Sequence, residues 1–148
     1  MYQHLTESAK EVLKQAEIYA RRDLQEYVGT EHVLLAIIDH ADNPGACILA
    51  NCDITSDRVE DEIKKITRQS MEETWVLGKL PGSPHFKQVI ALAIQEAERV
   101  QDQTVGTEYL LLGLLREKNC VAERTLCHLG LNLDRARQEV IRFKNTAP

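Results

Sequence analysis

One pattern is written twice in this chain, and that constrains its fold more than any other feature. Val28-Gly29-Thr30-Glu31 returns as Val105-Gly106-Thr107-Glu108, an offset of 77 residues. The offset holds without a gap over most of the sequence. Lys10 falls on Lys87, Val12 on Val89, Ala16 on Ala93, Ala20 on Ala97 and Arg22 on Arg99. Beyond the tetrapeptide, Leu34-Leu35 falls on Leu111-Leu112, Leu49 on Leu126, Asp57-Arg58 on Asp134-Arg135 and Glu62 on Glu139. A repeat of this kind sets the architecture, because each unit must bury its apolar face against its neighbour. The spacing predicts one compact pseudo-twofold domain spanning 1–148. Repeat 1 covers about 1–68, a linker 69–82 and repeat 2 about 83–144.

Each unit reads as four helices. In the first, Thr6 is an N-cap and Ala9, Val12, Leu13, Ala16 and Ala20 form an apolar stripe at helical spacing. Thr30 is read as the next N-cap, with Glu31 in the first turn, Val33, Leu34, Ile37 and Ile38 inward and the helix stopping near Asp42-Asn43. Asn43-Pro44 reads as an N-cap followed by proline at the first helical position. A fourth helix starts near Thr55 or Ser56 and is expected to end about Arg68, with Val59, Ile63 and Ile66 apolar. The second unit repeats this order. Ser83-Pro84 opens it, Thr107 caps its second helix, and Leu129-Gly130 ends its third with a glycine suited to the left-handed position. Ala136, Val140, Ile141 and Phe143 mark the last helix. Gln69 to Gly82 holds Gly78, Pro81, Gly82 and the only tryptophan, Trp75, and reads as a surface linker. No alternating strand pattern occurs and aromatics are only 5%. The fold class is all-α.

Bulk properties narrow the function. A net charge of −5 argues against non-specific nucleic-acid binding, which needs a basic footprint. Met1 to Lys10 has no apolar core of a leader, and no apolar run approaches a membrane span of about 18 residues. The expectation is a cytoplasmic protein with no membrane partner. Cys47, Cys52, Cys120 and Cys127 are expected as reduced thiols, and their spacings match no usual zinc pattern. Cys47 and Cys127 read as small core residues of short apolar helices. No G-x-x-x-x-G-K-S/T phosphate loop and no catalytic Ser/His/Asp or Cys/His spacing is present, so no enzyme, metal or cofactor is implied. Glu31-His32 is not an acid–base pair by spacing, since adjacent helical residues do not face one another.

The doubled Gly-Thr-Glu admits two readings. Glycine permits the turn, threonine caps the helix and glutamate complements its dipole. The same geometry can also bind a ligand. Free N–H groups at a helix start attract an anion, and a neighbouring carboxylate takes a guanidinium. Two copies would make two related pockets.

Thr6-Glu7-Ser8-Ala9-Lys10, Val28-Gly29-Thr30-Glu31-His32 followed by Leu34-Leu35, and Leu126 to Leu131 resemble the N-terminal domain of Clp ATPases, ClpC-type above all. The likeness runs from about Met1 to Phe143. It implies a double four-helix repeat that docks substrate proteins or adaptor proteins ahead of an ATPase ring. Some members of that family read phosphoarginine, their Gly-Thr-Glu glutamate taking the guanidinium and the helix start the phosphate. By motif the corresponding positions here are Thr30, Glu31, Thr107 and Glu108.

The chain departs from the family pattern nearby. Tyr109 stands where a second histidine is usual, and Cys52-Asp53 where repeat 1 usually has Leu-Gly. Asp23, Gln25, Glu26 and Asp102 alter the turns before the motifs, and the acidic ones are expected to weaken phosphate binding. Two alternatives stay open. A free-standing copy could regulate a Clp machine by binding its ATPase or protease subunits. A thiol at Cys52 or Cys127 could serve a small enzyme or redox sensor. Tyr2, Trp75 and Phe86 either line a groove for apolar peptides or seal the linker against the bundle.

Overall fold

Helix α1 (Glu7–Arg22) begins where Thr6 Oγ1 accepts the Ala9 N–H at 3.1 Å, and it buries the stripe Ala9, Val12, Ala16 and Ala20. In the computed structural model, the described residues are 4–22, 28–40, 42–77, 83–118 and 120–146, with backbone alone for 67–77, 83–84 and 146. They form seven further helices: α2 (Thr30–Asp39), α3 (Pro44–Asn51), α4 (Ser56–Leu77), α5 (Ser83–Arg99), α6 (Thr107–Arg116), α7 (Val121–His128) and α8 (Leu133–Thr146). The all-α double repeat holds. The one extended contact among the described residues is an isolated bridge between Leu5 and Val105, which ties the start of the chain to the turn before the second motif.

The helices pair in two symmetric sets. α1 packs on α2 as α5 packs on α6, and α2 packs on α3 as α6 packs on α7. The units also exchange partners: α4 lies against α7, and α8 against α3. Neither unit therefore closes a core by itself. One continuous apolar cluster runs from Leu5 and Val33 through Ile66 to Leu110, Leu126 and Val140, drawing on both units. α6 sits at its centre, with every residue from Thr107 to Leu115 buried.

Four expectations are corrected. α4 runs to Leu77 rather than ending near Arg68, so the stretch read as a linker begins as helix. Gln69 to Leu77 contains no glycine or proline to stop it, and Gly78 is the first breaker. α2 ends at Asp39, short of the expected Asp42-Asn43. Cys47 and Cys127 are exposed, and the buried thiols are Cys52 and Cys120. Ile141 lies on the outer side of α8 and is exposed. Tyr2 and the Trp75 side chain lie outside the described residues, while Phe86 is half-buried against the core.

Candidate functional site

Both Gly-Thr-Glu segments open a helix, but threonine is not the cap. The N-caps are Gly29 and Gly106, in extended conformation, and each threonine is the first helical residue. Its hydroxyl points across the pseudo-twofold axis instead. Thr30 Oγ1 accepts the Ala122 N–H of α7 at 3.2 Å. Thr107 Oγ1 accepts the Gly45 N–H of α3 at 2.8 Å and donates to Asn43 Oδ1 at 2.9 Å. Gly45 and Ala122 are themselves 77 residues apart, so each threonine satisfies a free amide at the start of the other unit's third helix. Both threonines are buried. They are cross-braces between the units, and neither hydroxyl is presented to solvent.

Gly45 explains the tighter contact. A Cβ there would meet Ile37 Cγ2 at 2.9 Å and the Thr107 carbonyl oxygen at 3.1 Å. α3 is held further by Asn43, whose Oδ1 accepts the Ala46 N–H at 2.9 Å and whose Nδ2 donates to the carbonyls of Ile37 and His40. In α7 the same cap position is Cys120, its sulfur accepting the Glu123 N–H at 3.4 Å.

The glutamates behave alike in backbone terms and differently in surroundings. Each carboxylate folds back over its own cap glycine. A Cβ on Gly29 would lie 2.3 Å from Glu31 Oε1, and one on Gly106 would lie 2.1 Å from Glu108 Oε1. A side chain at either turn would have to push that carboxylate aside, because it occupies the space a Cβ would take.

Among the described residues, the neighbour of the Glu31 carboxylate is a histidine. The Gly29 N–H donates to His32 Nδ1 at 2.9 Å, which places the ring proton on Nε2 and leaves the imidazole neutral. That ring lies 3.8 Å from Glu31 Oε1. Among the described residues no lysine or arginine pairs with Glu31, and its side chain is 15% exposed.

Around Glu108 a charged cluster closes in. Lys144 Nζ, from the last turn of α8, lies 3.7 Å from Glu108 Oε2 and 3.2 Å from Asp102 Oδ2. The same ammonium sits 5.4 Å from the centre of the Tyr109 ring. Tyr109 donates its hydroxyl to Asp102 Oδ2 at 2.8 Å. The Glu108 side chain is only 3% exposed. Burial pushes its carboxyl above the ordinary value, an effect Lys144 opposes and Asp102 reinforces. Burial also pushes Asp102 upward, but hydrogen bonds from Thr104, Tyr109 and Lys144 outweigh it and hold that carboxyl low. The Asp102 carboxylate is thus spent within the protein. Asp23, Gln25 and Glu26 lie outside the described residues.

Sequence reasoning found both glutamates and the Tyr109 departure, and missed Lys144. The repeat itself holds the missing signal: threonine occupies position 67, at the offset from Lys144.

A second carboxylate is buried outside the motif. Glu96, 1% exposed, takes a two-pronged contact from Arg137 at 2.9 and 2.8 Å and a third from Arg116 at 3.1 Å, with Arg99 at 3.6 Å. Burial pushes this carboxyl upward, but the guanidiniums prevail and hold it below the ordinary range. The network joins α5, α6 and α8. Repeat 1 has Tyr19, Asp39 and Glu60 in place of Glu96, Arg116 and Arg137, with Tyr19 donating to Asp39 at 3.0 Å.

Three of the thiols are pushed away from their reactive form. Partial desolvation, followed by a hydrogen bond to Glu123, pushes the surface thiol of Cys127 up to about 11. Burial also raises Cys52 and Cys120. A thiolate is the reactive form, so these positions are the reverse of a redox site. Among the described residues no three of His, Cys, Asp and Glu converge on a common point, and no single helix is long and apolar enough to cross a membrane.

Comparison with known proteins agrees with this geometry. The sequence matches the family described as Clp repeat (R) N-terminal domain over residues 4–129 and 82–148. It is 37% identical over 142 residues to the ATP-dependent Clp protease ATP-binding subunit ClpC of Staphylococcus epidermidis, covering 96% of this chain and 17% of that protein. Identity to ClpC of Staphylococcus aureus strain USA300 is 36% over the same span. The chain therefore spans about a sixth of the length of these relatives. Among solved structures, the N-terminal domain of the chaperone ClpD from Arabidopsis thaliana superposes with a TM-score of 0.71 at 22% identity, covering 97% of each chain. The Hsp104 N-terminal domain from Candida albicans superposes with a TM-score of 0.70 at 16% identity, covering 98% of this chain and 94% of that one. With its doubled motif, exchanged helices and matching relatives, the chain belongs to the Clp repeat N-terminal domain family.

Proposed function

We propose that this chain is a protein-docking module that receives substrate or adaptor proteins for a Clp-type AAA+ unfoldase, and that it reads phosphoarginine on them. It binds and leaves the chemistry to the machine it serves. The observation that carries the reading is Glu31. Its carboxylate is held over the Gly29 turn, partly open to solvent, with no lysine or arginine from the described residues bound to it. Beside it lie the Thr30 and Glu31 amides, which have no preceding-turn acceptor, whereas those of His32 and Val33 donate to the Gly29 carbonyl. A carboxylate and free helix-start amides together suit a group that carries a guanidinium and a phosphate at once.

Calorimetric titration with free phosphoarginine tests this, with arginine and phosphoserine as controls. Binding selective for phosphoarginine is expected. The double substitution Glu31→Ala with Glu108→Ala should abolish it while the helical circular dichroism is retained. Absence of heat at millimolar ligand, or equal binding of arginine, sinks the phosphoarginine reading and leaves a docking surface for whole proteins.

A further inference from the structure

The two motifs share a backbone and differ in who holds the carboxylate. Glu108 is covered, at 3% exposure, by an ammonium that also reaches Asp102 and lies over the Tyr109 ring. Glu31 is 15% exposed, with a neutral imidazole beside it. The position equivalent to Lys144 in repeat 1 is Thr67, a residue that carries no charge. An ammonium and a guanidinium compete for the same acceptor oxygens. A guanidinium entering the second pocket must therefore displace Lys144 from two carboxylates and one aromatic face. Lys144 has room to leave, because its side chain is 41% exposed and it stands in the last turn of α8.

We infer that Lys144 is a resident cation that closes the Glu108 pocket to guanidinium ligands, so that the chain binds phosphoarginine through Glu31 alone until Lys144 is withdrawn. This rests on the phosphoarginine reading proposed above. It assigns the two motifs different duties: an open site in repeat 1 and a gated one in repeat 2. Tyr109 is part of the gate, since its ring supports the ammonium and its hydroxyl fixes Asp102.

The test is stoichiometry by calorimetry with phosphoarginine, on the unmodified chain and on Lys144→Met, Glu31→Ala and the Glu31→Ala/Lys144→Met double variant. Methionine keeps an apolar stem over the ring and removes the charge. Lys144→Gln serves if circular dichroism shows the methionine variant misfolded. The expected site counts are one for the unmodified chain, two for Lys144→Met, none for Glu31→Ala and one for the double variant. Two equivalent sites in the unmodified chain overturn the gate. So does a single site that persists unchanged in Lys144→Met, and either result leaves the phosphoarginine reading standing. No heat from any of the four proteins overturns that reading, and the gate with it.

Discussion

Repeat 1 and repeat 2 have the same helices, the same pairings and the same cap glycines, yet they present opposite electrostatic faces. In repeat 1 the motif glutamate lies beside a neutral histidine, and the flank formed by α1, α2 and α4 carries Tyr19, Asp39 and Glu60. In repeat 2 the motif glutamate is locked under Lys144, and the matching flank carries three arginines around Glu96. The scaffold tolerates this because its symmetry resides in buried apolar contacts and backbone amides. Those demand size and hydrogen-bond capacity at each position, not charge. The charged residues sit at the edge of the core, where one unit can change sign without disturbing the other.

The comparison breaks most sharply at the α5–α6 contact. A Cβ on Gly113 would lie 2.5 Å from the Val89 carbonyl oxygen and 3.2 Å from the Ala93 nitrogen, all backbone atoms that cannot step aside. Its counterpart in α2 is Ala36, fully buried. Gly113→Ala should therefore destabilise by about 2–3 kcal/mol, the upper range for overpacking, despite its gain in helix propensity. A chemical-denaturation midpoint unchanged or raised would show that α5 and α6 are not pressed together as described.

The cross-braces come next and should be unequal. Thr107→Val removes an acceptor from the Gly45 N–H and a donor from Asn43, costing about 2 kcal/mol. Thr30→Val removes the longer contact to Ala122 and a weak one to the Cys120 sulfur, and should cost about 1 kcal/mol. Equal losses, or losses within error of zero, would refute the exchanged capping. If both threonines were instead simple caps of their own helices, alanine and valine variants would unfold α2 and α6 from their first turns.

A smaller effect separates the ends of α3 and α7. Gly130 takes the left-handed conformation at φ 95°, and Asp53 takes it at φ 59° at the equivalent position. Aspartate tolerates this region better than most residues but less well than glycine. Asp53→Gly should stabilise by about 0.5–1 kcal/mol, and Gly130→Ala should destabilise by a similar amount. Thermal melts of the two variants must move in opposite directions.

The last comparison sets Glu96 against Glu108, both referred to an ordinary glutamate at 4.5. Glu96 is held low, so its network contributes stability above the ordinary value, and that contribution is lost as pH falls through the folded value. Glu108 is pushed high, so the folded chain keeps that proton longer than the unfolded chain does. Its contribution is fullest below the ordinary value and declines as pH rises through the folded one. A carboxyl-carbon NMR titration should place Glu108 above 4.5 and Glu96 below it, and Lys144→Met should move Glu108 further up. The reverse order would contradict the burial of one and the arginine contacts of the other.

Much of the fold was legible in the chain because repetition and periodicity are local signals. The apolar stripe of α1, the Asn43-Pro44 start of α3 and the glycine end of α7 are each set by a few adjacent residues. The early end assigned to α4 failed for a reason equally local. Gly78 and Pro81 coloured a whole segment as linker, although the nine residues from Gln69 to Leu77 contain no breaker.

What the sequence determined alone was the class, the doubled order of helices and the two carboxylates at helix starts, since spacing and side-chain type decide those. The partner of each polar group was decided only in three dimensions. Thr30 looks like a cap until Ala122 is brought to it, and Cys127 looks like core until its helix turns outward. Lys144 is one charge near the end of the chain until α8 packs back on α6 and sets it over Glu108. A carboxylate's availability depends on which cation folding brings within reach, and Lys144 stands 36 residues beyond Glu108 in the chain. Only packing closes that separation, and the equivalent position in repeat 1 is Thr67, which has no charge to bring.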